Sequence, residues 1–329
     1  MNYIGSKRKL FQLIQQTIQE VVGELKTRCF CDLFSGTGIV AAKMKTKVKQ
    51  VIANDLEYFS YVLIRNYIGN HQPMTTTKYI HQLNELPGKA GVIYQHYCLG
   101  SGSQRQYFSD ENGQKIDAQR QQIEQWYQDK TIGADQYYFL LASLLEASDK
   151  VANTASVYAS FLKKLKASAQ KPLWLQPATY QHTETKHQVY QKDANQLITS
   201  ISGDILYLDP PYNNRQYGNY YHILNTIASY DTIRPKGISG MRDYKKSLYC
   251  KKRKVLTAFE ELIKNAQFKY IFLSYNNEGL MSDEQIQACM QRYGRYHVKQ
   301  KKYQRFKADS NRKQRANYTI EALHILEKT

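Results

Sequence analysis

The feature that most constrains the fold is a strand–turn–helix unit closed by a second strand. In "RCFCDLFSGTGIVA" (28–41) an apolar run reaches an acid and gives way to glycines at 36 and 38. A run of this length predicts a buried strand, and the glycines predict a tight turn into a helix beginning near Gly38. "QVIAND" (50–55) predicts a second strand ending on Asp55, followed by a helical pattern over 56–67. Alternation of this kind folds into a parallel sheet covered by helices. Glycines at such a turn let the backbone approach a ligand without a Cβ in the way, and an acid closing the next strand accepts hydrogen bonds from ribose hydroxyls. Gly36, Gly38 and Asp55 therefore predict a nucleoside-containing cofactor. Alone they fit NAD as well as S-adenosylmethionine. Asp32, with Phe34 two residues on, favours the latter, because an acid there suits a ligand carrying an ammonium group.

The alternation stops near residue 71. Residues 71–186 carry helical patterns at 117–129, 134–150 and 156–167, with an aperiodic, glycine-spotted stretch at 87–115 that reads as loop. Strand signals return at "HQVYQ" (187–191), "DILYLD" (204–209), "KYIFLSY" (269–275) and "NYTIEALHIL" (317–326), with a short helix from Ala194. The expected architecture is an α/β open sheet built from 1–70 and 187–329, interrupted by a mainly helical insertion over 71–186.

Charge points to the partner. The chain has 46 Lys and Arg against 28 Asp and Glu, a net charge of +18. Residues 234–254 hold nine basic residues and one acid, and residues 292–315 hold ten and one. Tyrosines are interleaved with these cations, and cations with flat rings make a nucleic-acid surface. The first 28 residues contain no signal-peptide pattern, and "YYFLLASLL" (137–145) is too short for a membrane span. Five scattered cysteines without a CxxC pair read as reduced thiols of a cytoplasmic protein, and neither they nor the histidines have metal-ligand spacing, so no metal is expected.

The reacting groups are sought in "LYLDPPYNNRQYG" (206–218). Asp209 closes a strand at the end of the sheet where open α/β folds bind ligands. Pro210 and Pro211 lack N–H groups, which frees a carbonyl from helix formation, and Tyr212 adds a ring. An amino group on a heteroaromatic base is a poor nucleophile because its lone pair is delocalised. A carboxylate and a carbonyl accepting its two N–H groups would pull it toward tetrahedral geometry and stabilise the positive charge that develops on methylation. A stacked ring would hold the base in line.

These motifs resemble those of the Dam-type DNA adenine N6-methyltransferases. "LDPPY" is similar to that family's catalytic motif, "DLFSGTG" to its S-adenosylmethionine motif, and "NYIGSK" (2–7) to its N-terminal motif. The resemblance implies a Rossmann-like methyltransferase sheet, S-adenosylmethionine as cofactor and double-stranded DNA as substrate. It implies that Tyr3, Lys7, Asp32, Phe34, Gly36, Gly38, Asp55, Leu56, Asp193, Ala194 and Asp209 surround the cofactor. Asp209, Pro210, Pro211 and Tyr212 would be catalytic. The motif order is that of the α group, whose insertion recognises the target.

DNA contacts are expected from Arg215, Tyr217, Arg234, Arg242, Lys245, Lys246, Lys302, Arg305 and Arg312, with Tyr217, Tyr220 or Tyr221 stacking on a flipped or orphaned base. The function expected is the modification enzyme of a restriction–modification system, acting as a monomer apart from any cognate endonuclease. A cytosine-N4 or RNA methyltransferase on the same scaffold, and a non-catalytic nucleic-acid-binding module, are the alternatives.

Overall fold

Strand β1 (Cys29–Asp32) alternates Phe30 toward one face of a sheet and Cys31 toward the other, and both are fully buried. That two-sided burial is why the run is apolar throughout. The computed structural model describes residues 5–304 and 318–329. Helix α1 (Phe11–Val22) precedes β1 and turns Phe11, Ile14, Ile18 and Val22 inward at helical spacing. After β1 come α2 (Ile39–Met44), β2 (Gln50–Asn54) and α3 (Tyr58–Ile64).

Among the described residues, those of 71–186 contribute no strand. They form α4 (Thr77–Glu85), α5 (Val92–Tyr97), α6 (Asp110–Gln128) and α7 (Ala134–Val151). The core then resumes with β3 (Gln188–Tyr190), α8 (Ala194–Leu197) and β4 (Ser202–Leu208). Next are α9 (Tyr217–Tyr220), α10 (His222–Ser229), α11 (Val255–Asn265), β5 (Gln267–Asn276), α12 (Asp283–Met290), β6 (Gly294–Gln304) and β7 (Tyr318–Lys328).

The sheet order is β3-β2-β1-β4-β5-β7-β6. Strands β1 to β5 pair in parallel, and β7 runs antiparallel to β5 and β6. The expected open α/β sheet is present, with an antiparallel edge added. The chain leaves β1 toward β2 on one side, and β4 lies on the other, so the order reverses between these two strands. A crevice opens there at the carboxyl ends. The register sets Asp32 opposite Tyr207, which brings Asp209 close to the end of β1.

Both sheet faces are covered. Leu33, Ile52, Leu206 and Leu208 pack beneath α11 and α12, while Phe30, Val51, Ile205 and Phe272 pack against α1 and α2. A third core joins α3 and α10 to the helices of the insertion through Phe59, Leu63, Leu140, Leu144, Tyr221 and Leu224.

Several details differ from the sequence expectations. Residues 77–85, for which no element was expected, and 92–97, expected to be loop, are helical, and α6 begins at Asp110, where Ser109 caps it by accepting from the Asn112 N–H. Residues 156–167, expected to be helical, have no regular secondary structure. The Asn153 side chain gathers this segment: its amide donates to the Gln106 and Leu162 carbonyls and its oxygen accepts from the Lys166 N–H. Finally, residues 294–304 of the second basic run are the edge strand β6. Lysines on an edge strand discourage further strand pairing, and Arg292 and Lys299 are ion-paired with Glu260 and Glu20.

Candidate active site

Both halves of the site open into one cavity enclosing about 950 Å³, including its mouth. Lys7, Asp32, Phe34, Gly36, Asp55, Leu56, Asp193, Ala194, Asp209, Pro211, Tyr212 and Tyr217 all line it. The strand order explains the assembly: β1 delivers Asp32, β2 delivers Asp55 just past its end, and β4 runs into Asp209.

The glycine turn is held by the acid that follows the next strand. The Gly36 N–H donates to Asp55 Oδ2 at 2.7 Å and the Glu57 N–H to Asp55 Oδ1 at 2.9 Å. Burial pushes the Asp55 carboxyl up to about 6, with these N–H groups pulling the other way. Gly38 does not line the cavity; its φ is +75°, and a Cβ there would lie 2.8 Å from Ile64 Cγ2. Its role is to turn the backbone into α2 and let that helix pack.

Asp32 is 1% exposed. Its Oδ2 accepts from the Ala41 N–H at 3.2 Å, while Oδ1 is buried without a hydrogen-bond partner among the described residues. Burial, then repulsion from Asp209, drives its carboxyl well above the ordinary range. A cationic ligand would relieve both. Asp193 caps α8, accepting from the Asn195 and Gln196 N–H groups. Phe34 meets Tyr249 edge-on, with centroids 4.9 Å apart, and the two rings form one wall.

At the reacting end, Lys7 Nζ lies 2.9 Å from Asp209 Oδ1, with the two side chains 4% and 18% exposed. Burial works against the Lys7 charge, but Asp209, Glu321 and Tyr212 outweigh it and the lysine is held more firmly protonated than usual. Burial raises the Asp209 carboxyl, and Lys7 opposes that rise. Gly5 has φ +79°, and a Cβ on it would come within 3.5 Å of the Tyr212 and Tyr217 hydroxyls, so the N-terminal turn rests directly on these rings. Tyr212 stands edge-on to Tyr275, and its carbonyl accepts from the Leu280 N–H. Pro210 is buried and does not line the cavity.

Residues 3–289 match the family described as D12 class N6 adenine-specific DNA methyltransferase. The chain belongs to that family. It is 61% identical, over the full length of both chains, to Type II methyltransferase M.NlaIII of Neisseria lactamica. It is 36% identical to Type II methyltransferase M.CviAII of Paramecium bursaria Chlorella virus 1, covering 94% of this chain and 93% of that one. The same identity holds to Type II methyltransferase M.FokI of Planomicrobium okeanokoites, of which this chain spans about half, 53%. The protein is thus an adenine-specific DNA methyltransferase, and its site takes a methyl donor. The cytosine, RNA and non-catalytic alternatives fall away.

Further residues that motif reading passed over line the same cavity of the methyltransferase: Glu57, Gln216, Ser247 and Tyr249. Burial raises the Glu57 carboxyl to about 7, and Asn225 donates to it at 2.6 Å. Gln216 both donates to and accepts from the Ser247 backbone, tying the segment after Tyr212 to the basic loop. An acid two residues after Asp55 was the only available sequence signal for Glu57.

Of the tyrosines offered for base stacking, Tyr217 lines the cavity with its ring stacked on Tyr221 at 6.1 Å. Tyr220 and Tyr221 are buried in the helical core, where α10 needs them, and are not available to a base. Arg215 donates to the Tyr220 hydroxyl at 2.7 Å. Arg234, Lys245 and Lys246 are exposed, whereas Arg242 pairs with Asp231 at 2.7 Å and is 15% exposed. Lys302 lies in β6; Tyr3, Arg305 and Arg312 lie outside the described residues. Among the described residues there is no group of three or more His, Cys, Asp or Glu placed to hold a metal, and no helix is long and apolar enough to cross a membrane.

Proposed function

We propose that the methyl donor is S-adenosylmethionine and that the target adenine leaves the double helix to meet it in the crevice between β1 and β4. The observation that carries this reading is the single cavity joining Asp32, Asp55 and Asp193 to Asp209 and Tyr212. The unpartnered Asp32 oxygen supports the donor assignment, because it is a buried acceptor in want of an ammonium group. When bound, S-adenosylmethionine supplies an electrophilic methyl group. Lys7, Asp32, Phe34, Gly36, Asp55, Leu56, Asp193 and Ala194 would hold it, with Tyr3 added by resemblance. Asp55 is the acceptor for ribose hydroxyls.

Asp209, which lines the cavity, would accept one N–H group of the adenine amine, and the Pro210 carbonyl is assigned to the other by resemblance, although Pro210 itself does not line the cavity. The carboxylate then faces the nitrogen as positive charge develops there. Tyr212 would hold the ring and Pro211 would shape the wall beside it. An adenine paired within the duplex cannot reach a carboxylate this deep, which is the reason for assigning nucleotide flipping.

The segment 71–186 is assigned to target recognition, with 1–70 and 187–329 as the catalytic core. Arg215, Tyr217, Arg234, Arg242, Lys245, Lys246, Lys302, Arg305 and Arg312 are assigned to the DNA. The words "Type II methyltransferase" in the relatives' names support a modification role in a restriction–modification system, beside a separately acting endonuclease. One target base per event requires only a monomer, and five free thiols suit the cytoplasm.

The test is to incubate mixed DNA with labelled S-adenosylmethionine, digest it to nucleosides and map the modified positions. Label in N6-methyladenine at one short sequence is expected. No transfer from S-adenosylmethionine, or modified positions scattered without a shared sequence, would overturn the reading.

A further inference from the structure

The basic segment after α10 ends in a hairpin tip that the methyltransferase holds with unusual care. Lys236 and Met241 exchange both backbone hydrogen bonds, at 2.8 and 2.9 Å, and the Gly240 N–H closes a turn on the Gly237 carbonyl at 3.1 Å. Gly237 and Gly240 have φ of +66° and +65°, conformations that favour glycine. Between them Ile238 is 87% exposed, against 54% for Trp174 and 53% for Leu99.

A lone exposed isoleucine means little by itself. What distinguishes Ile238 is the backbone beneath it. The carbonyls of residues 237, 238, 239 and 240 each accept a hydrogen bond from a side chain of the insertion. Arg105 donates to Gly237 and Ile238, both at 3.0 Å, Tyr107 to Ser239 at 3.1 Å and Tyr97 to Gly240 at 2.9 Å. The Ser239 hydroxyl in turn donates to the Ala159 carbonyl at 2.7 Å. Tyr97 and Tyr107 are fully buried, so two of the side chains that hold the tip are themselves fixed in the core. At its base, Arg242 pairs with Asp231. A few residues further, Tyr244 packs on Gly218 and Ser247 reaches the rim of the cavity.

We propose that Ile238 is an apolar wedge that enters the base stack of the DNA beside the target and occupies the space the adenine vacates. The requirements for a wedge are an apolar side chain projecting from a backbone that cannot yield, set among cations that hold the phosphates. Ile238 meets the first through its exposure and the second through the tethered carbonyls. Exposed Arg234, Lys245 and Lys246 on the same segment meet the third. Fixing the tip before binding removes an ordering cost that a mobile loop would incur on insertion. The proposal rests on the flipping of adenine.

The experiment uses the full-length enzyme and a duplex carrying the mapped target sequence, with 2-aminopurine replacing the target adenine. Wild-type enzyme should raise the 2-aminopurine fluorescence; if it does not, the flipping reading fails first and independently of Ile238. With that signal in hand, Ile238→Ala should lose most of it and methylate the ordinary duplex at least ten-fold more slowly. On a duplex whose target adenine faces an abasic site, the same variant should stay within two-fold of wild type. Ile238→Leu should restore both signals. Equal losses on both duplexes would make Ile238 a docking contact, and wild-type rates on both would leave it free for a protein partner; either result overturns the proposal.

Discussion

Lys7, ahead of α1, and Asp209, just past β4, form an ion pair of 2.9 Å in the wall of the cavity. The pair sets the charge state of the group assigned to the adenine amine. Burial pushes the Asp209 carboxyl upward and Lys7 holds it down. Removing the lysine charge should therefore let Asp209 rise further, so that it takes up a proton at higher pH. Lys7→Met is expected to move the acidic limb of the kcat–pH profile upward, and Lys7→Arg to move it less. An unmoved limb in Lys7→Met would show that the lysine does not control Asp209.

Asp209→Asn isolates the carboxylate from the fold better than alanine does. Alanine would strand Lys7, which is 4% exposed, without its closest partner, and an uncompensated buried charge is strongly destabilising. Asparagine keeps an acceptor for the ammonium. Single-turnover methylation should fall by about 10²–10³-fold, the usual range for losing one transition-state electrostatic contact. A thermal melt close to wild type must accompany it; a loss below ten-fold would remove Asp209 from the chemistry.

Donor binding should depend on pH through Asp55. Its carboxyl is raised to about 6 by burial, against the N–H groups of Gly36 and Glu57. Only the ionised form offers both oxygens as acceptors, so affinity for S-adenosylmethionine should decline as pH falls through 6. Titration calorimetry across pH 5–8 measures this. Asp55→Asn should bind more weakly and lose the step near pH 6; an unchanged step would exclude Asp55 as its source.

The parts of this fold legible in the sequence are those where one residue type has one use. Buried parallel strands must be apolar on both faces, so β1, β2, β4 and β5 stood out as runs. The acids at their ends stood out because an acid closing such a run has few structural reasons to be there. Edge strand β6 did not, since "GRYHVKQKKYQ" is solvated on its outer side and its lysines read equally well as a DNA surface. The segment after α7 carries a helical pattern over 156–167, yet its order comes from Asn153 hydrogen bonds, which leave no periodic trace. The Lys7–Asp209 contact was invisible for a different reason: it depends on how the N-terminal turn folds back over β4.

Gly38 separates a structural role from a binding one. With φ at +75° and Ile64 and Ile68 2.8 and 3.2 Å from where a Cβ would stand, Gly38→Ala meets both backbone strain and overpacking. The combined cost is about 2–4 kcal/mol. Urea denaturation should show that loss, while the folded fraction keeps its affinity for S-adenosylmethionine within a few-fold. Wild-type stability with impaired binding would reverse the assignment and place Gly38 at the ligand.

The basic loop makes a prediction about salt. Each phosphate neutralised by a lysine or arginine contributes roughly 0.9 to the slope of log K against log salt concentration. Lys245 and Lys246 are exposed, so the double variant Lys245→Ala/Lys246→Ala should reduce that slope by about 1.8. Arg242 carries the same formal charge, but it is mostly buried and already neutralised by Asp231, so Arg242→Ala should change the slope by far less. Its loss should instead open the base of the hairpin and lower the melting temperature. Binding titrations at several salt concentrations separate the two cases, and equal slopes for wild type and the lysine variant would take these lysines off the DNA.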